Sequence, residues 1–116
     1  MYSLHSIAEL VYHNNYFVSA TLKVLRGGPL DAHDKFSFDC PSITSQEDWD
    51  SLLDKTWTDV EELASLIAAL PESRLSENFV DAKYGTYYRC LEGLTEHCHY
   101  HLGQISIIKT MIQQEK

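Results

Sequence analysis

The chain has 116 residues, a length that fits one domain with a single hydrophobic core. Its hydrophobic share of 44% and charged share of 22% are those of a folded globular protein and exclude a disordered one. Acidic residues outnumber basic ones 17 to 9, which argues against a nucleic-acid-binding surface. No apolar run reaches the ~18 residues of a membrane span, and no signal peptide is recognisable. The sequence predicts one soluble, cytoplasmic domain over residues 1–116, with neither nucleic acid nor membrane as partner.

The first predicted helix starts near Ser6, because Ser6 and Glu9 have the spacing of a capping box. Apolar residues then recur at helical spacing as far as Arg26, where Gly27-Gly28-Pro29 ends the helix. His13 falls at the edge of this apolar stripe, so its ring is available to the interior of a bundle.

Residues 27–44 show no periodic pattern and predict a long loop. Within it, His33 with Asp31 and Asp34 could form a second metal site, although a solvated polar loop is the favoured interpretation. Cys40 in the same loop could be a metal ligand or a reactive thiol, but no neighbour in sequence predicts a lowered pKa for it.

A second helix is predicted from Thr44 or Ser45 to Pro71, with an acidic residue three positions after each candidate cap. Its apolar stripe comprises Trp49, Leu52, Leu53, Trp57, Val60, Leu63, Ala64, Ile67 and Leu70. We interpret it as a scaffold helix. A short irregular connection follows, with a strand-like piece over residues 78–80.

The third predicted helix has Thr86 as its N-cap and runs from about Tyr87 to Gln113. Its stripe comprises Tyr87, Cys90, Leu91, Leu94, His97, Cys98, His101, Ile105, Ile108 and Ile112. His97 and His101 are four residues apart, so both imidazoles lie on one face, one turn apart. The two cysteines of this stripe are too far apart to pair and are predicted to act as small buried hydrophobes.

Two interpretations fit this histidine pair: core histidines bonded to neighbours, or ligands of one metal ion. A cation satisfies both ring nitrogens of two buried imidazoles in contact, which favours the metal. Gly103 costs ~1 kcal/mol inside a helix and predicts the close approach of another backbone beside His101. Gln104, one turn beyond His101, is predicted to orient that ligand. His99 points away from the stripe and is expected in solvent.

Two segments resemble the DinB/YfiT-like superfamily of metalloenzymes: His97-x-x-Tyr100-His101-x-Gly103-Gln104-Ile105, and Ser6-Ile7-Ala8-Glu9-Leu10-Val11-Tyr12-His13. The resemblance covers the first helix, the Trp49 helix and the last helix. It implies a four-helix bundle that holds zinc or nickel with three histidines. By this resemblance the metal ligands are His13, His97 and His101.

The resemblance also implies an activity, because the superfamily includes S-transferases and isomerases that activate bacillithiol or mycothiol on the metal. Three histidines leave a coordination position open for such a thiol or for water. We therefore expect a metal-dependent thiol S-transferase, or a related transferase or hydrolase, acting on a low-molecular-weight thiol and a small electrophile. Glu9 and Glu96 are general-base candidates by spacing alone. The alternative is a non-catalytic dimeric bundle with a degenerate or structural metal site.

One departure from the resembled superfamily concerns its first helix, which precedes the segment that starts here at Ser6. Three helices would leave an apolar flank uncovered near the proposed ligands, and such flanks mark interfaces. We therefore predict an all-α, antiparallel bundle with three long helices from this chain and a homodimer partner that fills the gap. His5 could also be drawn into the site. A start codon further upstream is the alternative explanation.

Overall fold

The computed structural model describes residues 6–115, and the candidate His5 lies outside them. Three long helices make up most of this part of the chain: α1 (Ile7–Leu25), α2 (Gln46–Ala69) and α3 (Tyr87–Gln114). The connections between them hold short 3-10 helices at Asp34–Phe36, Glu72–Ser76 and Ala82–Tyr84. Over these residues no strand forms, so the all-α prediction is confirmed.

Side-chain caps set the helix starts at the predicted positions. The Ser6 amide donates to the Glu9 carboxylate at 2.8 Å, and the Glu9 amide donates to the Ser6 hydroxyl at 3.1 Å. Ser45 and Thr86 cap α2 and α3 in the same way, each accepting from an amide three residues later. Gly27 ends α1 with a φ of 93°, a conformation that glycine adopts without strain.

The predicted strand-like piece at residues 78–80 is reduced to a single bridge. Asn78 pairs with Thr86, and the Phe79 amide donates to the Gly85 carbonyl at 2.9 Å. The Ala82–Tyr84 turn follows at once, so there is no room to extend the pairing. Phe79 is instead buried in the core.

The core lies along α1, which packs against both other helices. One cluster joins Val18 and Leu22 of α1 to Leu63 of α2, and half-buried side chains of α3 pack against it. A second cluster joins Val24 to Phe79 and to Tyr87 at the start of α3. Helix α1 is therefore the central element, and the other two flank it.

Helices α1 and α3 run antiparallel, as predicted. Val24, near the end of α1, clusters with Tyr87 at the start of α3. His13, one-third of the way along α1, contacts His101 in the middle of α3.

Helices α1 and α2 run parallel, and here the antiparallel prediction is wrong. Tyr12 near the start of α1 lines a groove with Leu52 of α2. Leu70, the C-cap of α2, packs against the cluster that holds Val24 near the end of α1. The physical reason is the long connection over residues 26–45, which returns the chain to the first end of α1.

One side of α2 is exposed, although its residues belong to the apolar stripe that was predicted to face the core. Trp57 is 65% exposed and Val60 is 39% exposed. Because α2 packs mainly against α1, only a narrow arc around Leu52 and Leu63 is buried. On α3, Leu102 and Ile107 are exposed as well. None of the helices within residues 6–115 is long and apolar enough to cross a bilayer.

Candidate metal centre

Three histidines from two helices converge in the interior. The Nε2 atom of His97 lies 3.0 Å from Nε2 of His13 and 3.1 Å from Nε2 of His101. The one-turn spacing on α3 and the antiparallel packing of α1 place all three candidate ligand atoms within 4.8 Å of one another. The predicted convergence of these three imidazoles is therefore observed.

The separations suit a small transition-metal ion. Two nitrogens bound at about 2.0–2.1 Å to a tetrahedral zinc lie ~3.4 Å apart. The two short separations would therefore open slightly on binding, and the widest, up to 4.8 Å, would close. His13 and His101 are buried, with 7% and 9% of their surface exposed. This group could bind a metal ion.

Gln104 orients His101 as predicted. The Nδ1–H of His101 donates to the Gln104 amide oxygen at 2.5 Å. Because that oxygen only accepts, the bond keeps the proton on Nδ1 and leaves Nε2 with a free lone pair. A lone pair aimed at the other two imidazoles is what a metal ligand requires.

His97 is held in its neutral form by its surroundings. Burial lowers its pKa below the ordinary value, and the charge of His101 lowers it further, while the Asp34 carboxylate acts in the opposite direction. The Nδ1 atom of His97 is buried and has no hydrogen-bond partner among residues 6–115. A neutral imidazole at pH 7 is the form that binds metals.

Aromatic rings from α1 and from the long connection pack against the cluster. Phe38 stacks flat on the His13 ring, with centroids 4.0 Å apart and planes within 2°. Phe17 meets His13 and His97 edge-on at 5.1 and 5.2 Å. Phe17 was recognisable because it follows His13 by one helical turn. Phe38 lies in the aperiodic connection, where no pattern indicates which side chain folds inward.

The prediction of a close backbone beside His101 is wrong. A Cβ atom added at Gly103 would meet no described atom within 4 Å, so the glycine faces open space. Its helical cost is therefore not explained by packing within residues 6–115. His99 is exposed, as predicted.

The two general-base candidates do not join the cluster. The Glu9 carboxylate accepts from the Ser6 amide in the capping box, and Glu96 is exposed on α3. Asp34, from the long connection, is the carboxylate whose charge acts on His97. Sequence spacing did not predict that Asp34 lies near His97, because a loop residue has no helical periodicity from which its position can be inferred.

The possible second metal site at His33 does not form a ligand cluster. His33 lies 3.1 Å from Asp31, and both side chains are exposed. Across residues 6–115 the only group of three or more candidate ligands is His13, His97 and His101, so Cys40 is not part of one either. The solvated-loop interpretation fits this arrangement.

The three cysteines are free thiols. Burial raises the pKa of Cys40, with a further increase from the charge of Glu9. Burial also raises the pKa of Cys90 and of Cys98, which are half-buried on α3. Thiols with raised pKa values are poor nucleophiles at neutral pH, which fits the predicted role of Cys90 and Cys98 as small hydrophobes and does not favour a reactive thiol at Cys40.

Comparisons with protein-family models, with curated proteins and with solved structures give no match. The resemblance to the DinB/YfiT-like superfamily therefore remains a prediction from two short motifs. What stands independently of it is the geometry of the three imidazoles.

Proposed function

We propose that the protein binds one divalent transition-metal ion, zinc or nickel, through the Nε2 atoms of His13, His97 and His101. The observation that carries the proposal is the meeting of three Nε2 atoms, with neighbours 3.0 and 3.1 Å apart, in the interior of a small bundle. Three neutral imidazoles leave at least one coordination position open, the arrangement of catalytic rather than structural zinc.

The metal would act there as a Lewis acid and lower the pKa of a bound thiol or water. Side chains of the protein would orient the ligands and keep water away from them. Gln104 holds His101 in the tautomer that binds through Nε2, while Phe17 and Phe38 pack against the imidazoles and exclude water from their faces. Because the ligand set is neutral, the ion keeps its full charge, and this favours an anionic ligand such as a thiolate.

As the reaction, we propose thiol S-transfer. A low-molecular-weight thiol loses its proton to water, its sulfur forms a bond to an electrophilic carbon of a small substrate, and the leaving group on that carbon departs with the electron pair of the broken bond. The resemblance of the two motifs suggests this class. The protein's cysteines support an external thiol, because the pKa values of Cys40, Cys90 and Cys98 are all raised. A nucleophilic thiolate would then have to come from a second molecule.

A second candidate is a non-catalytic module with a structural metal. It is favoured by the lack of a general base, since no carboxylate of residues 6–115 joins the three histidines. A bound ion would then link α1 to α3 without turnover.

Metal content and turnover separate these candidates. Elemental analysis of protein purified without a histidine tag should give about one metal ion per chain, with most of it lost in His101→Ala. His99→Ala is the matched control, because His99 is exposed on the same helix. Thiol consumption with an electrophile should then require the loaded protein. Full metal loading without turnover would favour the structural module, and no loading would refute both.

We also propose that a second copy of the chain covers the exposed flank of α2 formed by Trp57 and Val60. Large apolar side chains exposed next to each other on a helix mark an interface. Two chains of three helices each would thereby bury the flank that α1 leaves uncovered.

A further inference from the structure

We propose that Phe38 is a positioning residue of the histidine cluster, and that metal binding and docking of the connection over residues 33–38 strengthen each other. This inference rests on the metal site proposed above. It assigns a positioning role to the long connection between α1 and α2, of which the proposed function uses only the Phe38 ring as a shield against water.

The stack between Phe38 and His13 is geometrically tight. A centroid separation of 4.0 Å with planes within 2° means that the two rings are stacked in parallel and in contact. Rotation of the imidazole about its own bond would drive its edge into the phenyl ring. Phe17 packs edge-on against the same imidazole and limits its tilt. Packing by these two rings therefore restricts the direction of His13 Nε2.

Phe38 is itself held by a short, well-anchored segment. The His33 amide donates to the Tyr16 hydroxyl at 2.7 Å, which ties the segment to α1. Ser37 is buried, and its hydroxyl donates to the Asp34 carbonyl at 2.8 Å. Because His13 and Tyr16 are three residues apart, they present one face of α1 to the segment. The segment thus docks on α1 at two points, and one of them is the candidate metal ligand.

A metal ion would strengthen this docking. An imidazole bound to a divalent cation carries part of its positive charge, and the face of a phenyl ring is negative. The stack is therefore more favourable when His13 is loaded than when it is neutral. By linkage, a docked segment must then raise metal affinity by the same factor that metal raises docking.

Three variants and one control test this coupling by zinc affinity, measured by competition with a chromogenic chelator. Phe38→Ala and Phe38→Leu should weaken zinc binding about tenfold or more, the range for residues that orient a ligand. Phe38→Tyr keeps the ring and should bind within about twofold of the wild type. Phe36→Ala is the control, because Phe36 is exposed in the same segment and its ring contacts His33 instead. It should leave zinc affinity unchanged.

Hydrogen exchange supplies a second measurement. Zinc should slow exchange at the His33 and Ser37 amides of the wild type, and should have a smaller effect in Phe38→Leu. If Phe38→Ala fails to fold, the leucine variant and the wild-type exchange data still decide. Equal zinc affinity in the wild type, Phe38→Leu and Phe36→Ala, with exchange unaffected by zinc, would overturn this inference alone. Failure of the wild type to bind zinc or nickel would overturn the proposed metal site and this inference together.

Discussion

The bond between His101 and Gln104 decides which nitrogen of His101 is free to bind. With the proton fixed on Nδ1 by the amide oxygen 2.5 Å away, Nε2 faces the other two imidazoles. This contact matters for the whole cluster. In the other tautomer of His101 the Nε2 atom would carry the proton, and an N–H would point at the other two imidazoles in place of a lone pair.

Replacement of Gln104 by leucine should weaken zinc binding. The substitution removes the acceptor that orders His101, and loss of such a partner lowers metal affinity about 10- to 100-fold. Chelator competition measures the change. Gln113→Leu, on an exposed position of the same helix, should bind zinc like the wild type. Equal affinity of both variants would show that Gln104 does not orient the ligand.

The lowered pKa of His97 predicts a pH-dependent stability of the metal-free protein. The unfolded chain takes up a proton at the ordinary histidine pKa of about 6.5, whereas folded His97 resists it. Stability should therefore fall as the pH drops below ~6.5 and level off above it. Among residues 6–115, the ionisable groups that act on or contact His97 include His13, His101 and Asp34.

Urea denaturation of chelator-treated protein at pH 7.5 and pH 5.5 measures this dependence. His97→Gln should lose part of the difference between the two conditions, because it lacks the titrating group. An identical difference in wild type and variant would rule His97 out as its source.

At the residue scale, sequence spacing predicted the histidines better than their surroundings. The one-turn spacing of His97 and His101 predicted that they share a face of α3, and the next turn predicted Gln104 beside His101. Phe38 and Asp34 were not predicted as neighbours of the site, because they come from a loop whose path depends on tertiary packing. The prediction from Gly103 was wrong, because no other element of residues 6–115 comes within 4 Å of the place that a Cβ would occupy.

Between α1 and α2, a polar triad is set into an otherwise apolar contact. Asn15 is only 4% exposed, and its amide donates to the Asp59 carboxylate at 2.9 Å. The Lys55 ammonium group donates to the Asn15 carbonyl at 3.2 Å and lies 2.5 Å from Asp59. Each of the three side chains has a hydrogen-bond partner, so the triad helps to fix the position of α2 relative to α1.

Removal of the central acid should destabilise this contact. Asp59→Ala leaves the buried Asn15 amide without its acceptor, which should lower the free energy of unfolding by about 1–2 kcal/mol. Urea denaturation monitored by circular dichroism gives the value. Asp54→Ala, at an exposed position of the same helix, should stay close to the wild type. A loss of unfolding free energy no larger than that of Asp54→Ala would mean that the triad does not stabilise the fold.

At the element scale, caps and periodicity predicted the helices, but the expected direction of α2 relative to α1 was wrong. Ser6, Ser45 and Thr86 begin the helices where their side-chain chemistry indicated. The apolar stripe of α2 correctly predicted that Leu52 and Leu63 are buried. It also predicted a buried Trp57, which is exposed. A stripe shows how much of a helix is apolar, whereas the number and direction of neighbours decide how much becomes buried.

For the whole molecule, the exposed α2 flank predicts self-association. Sedimentation equilibrium should give about twice the 13.3 kDa mass of one chain. Trp57→Glu places a charge in the proposed interface and should shift the protein to a monomer. Thr58→Glu is the matched control on the neighbouring exposed position and should remain dimeric. A monomeric wild type, or a dimer in both variants, would contradict this interface.

X-ray absorption spectroscopy of tag-free protein loaded with zinc tests the central claim most directly. The arrangement of His13, His97 and His101 predicts three imidazole nitrogens at about 2.0–2.1 Å and one further light-atom ligand. His101→Ala should reduce the imidazole count or lose the metal altogether. A spectrum of the loaded wild type dominated by sulfur at about 2.3 Å, fewer than three imidazoles, or no retained zinc would contradict the three-histidine site.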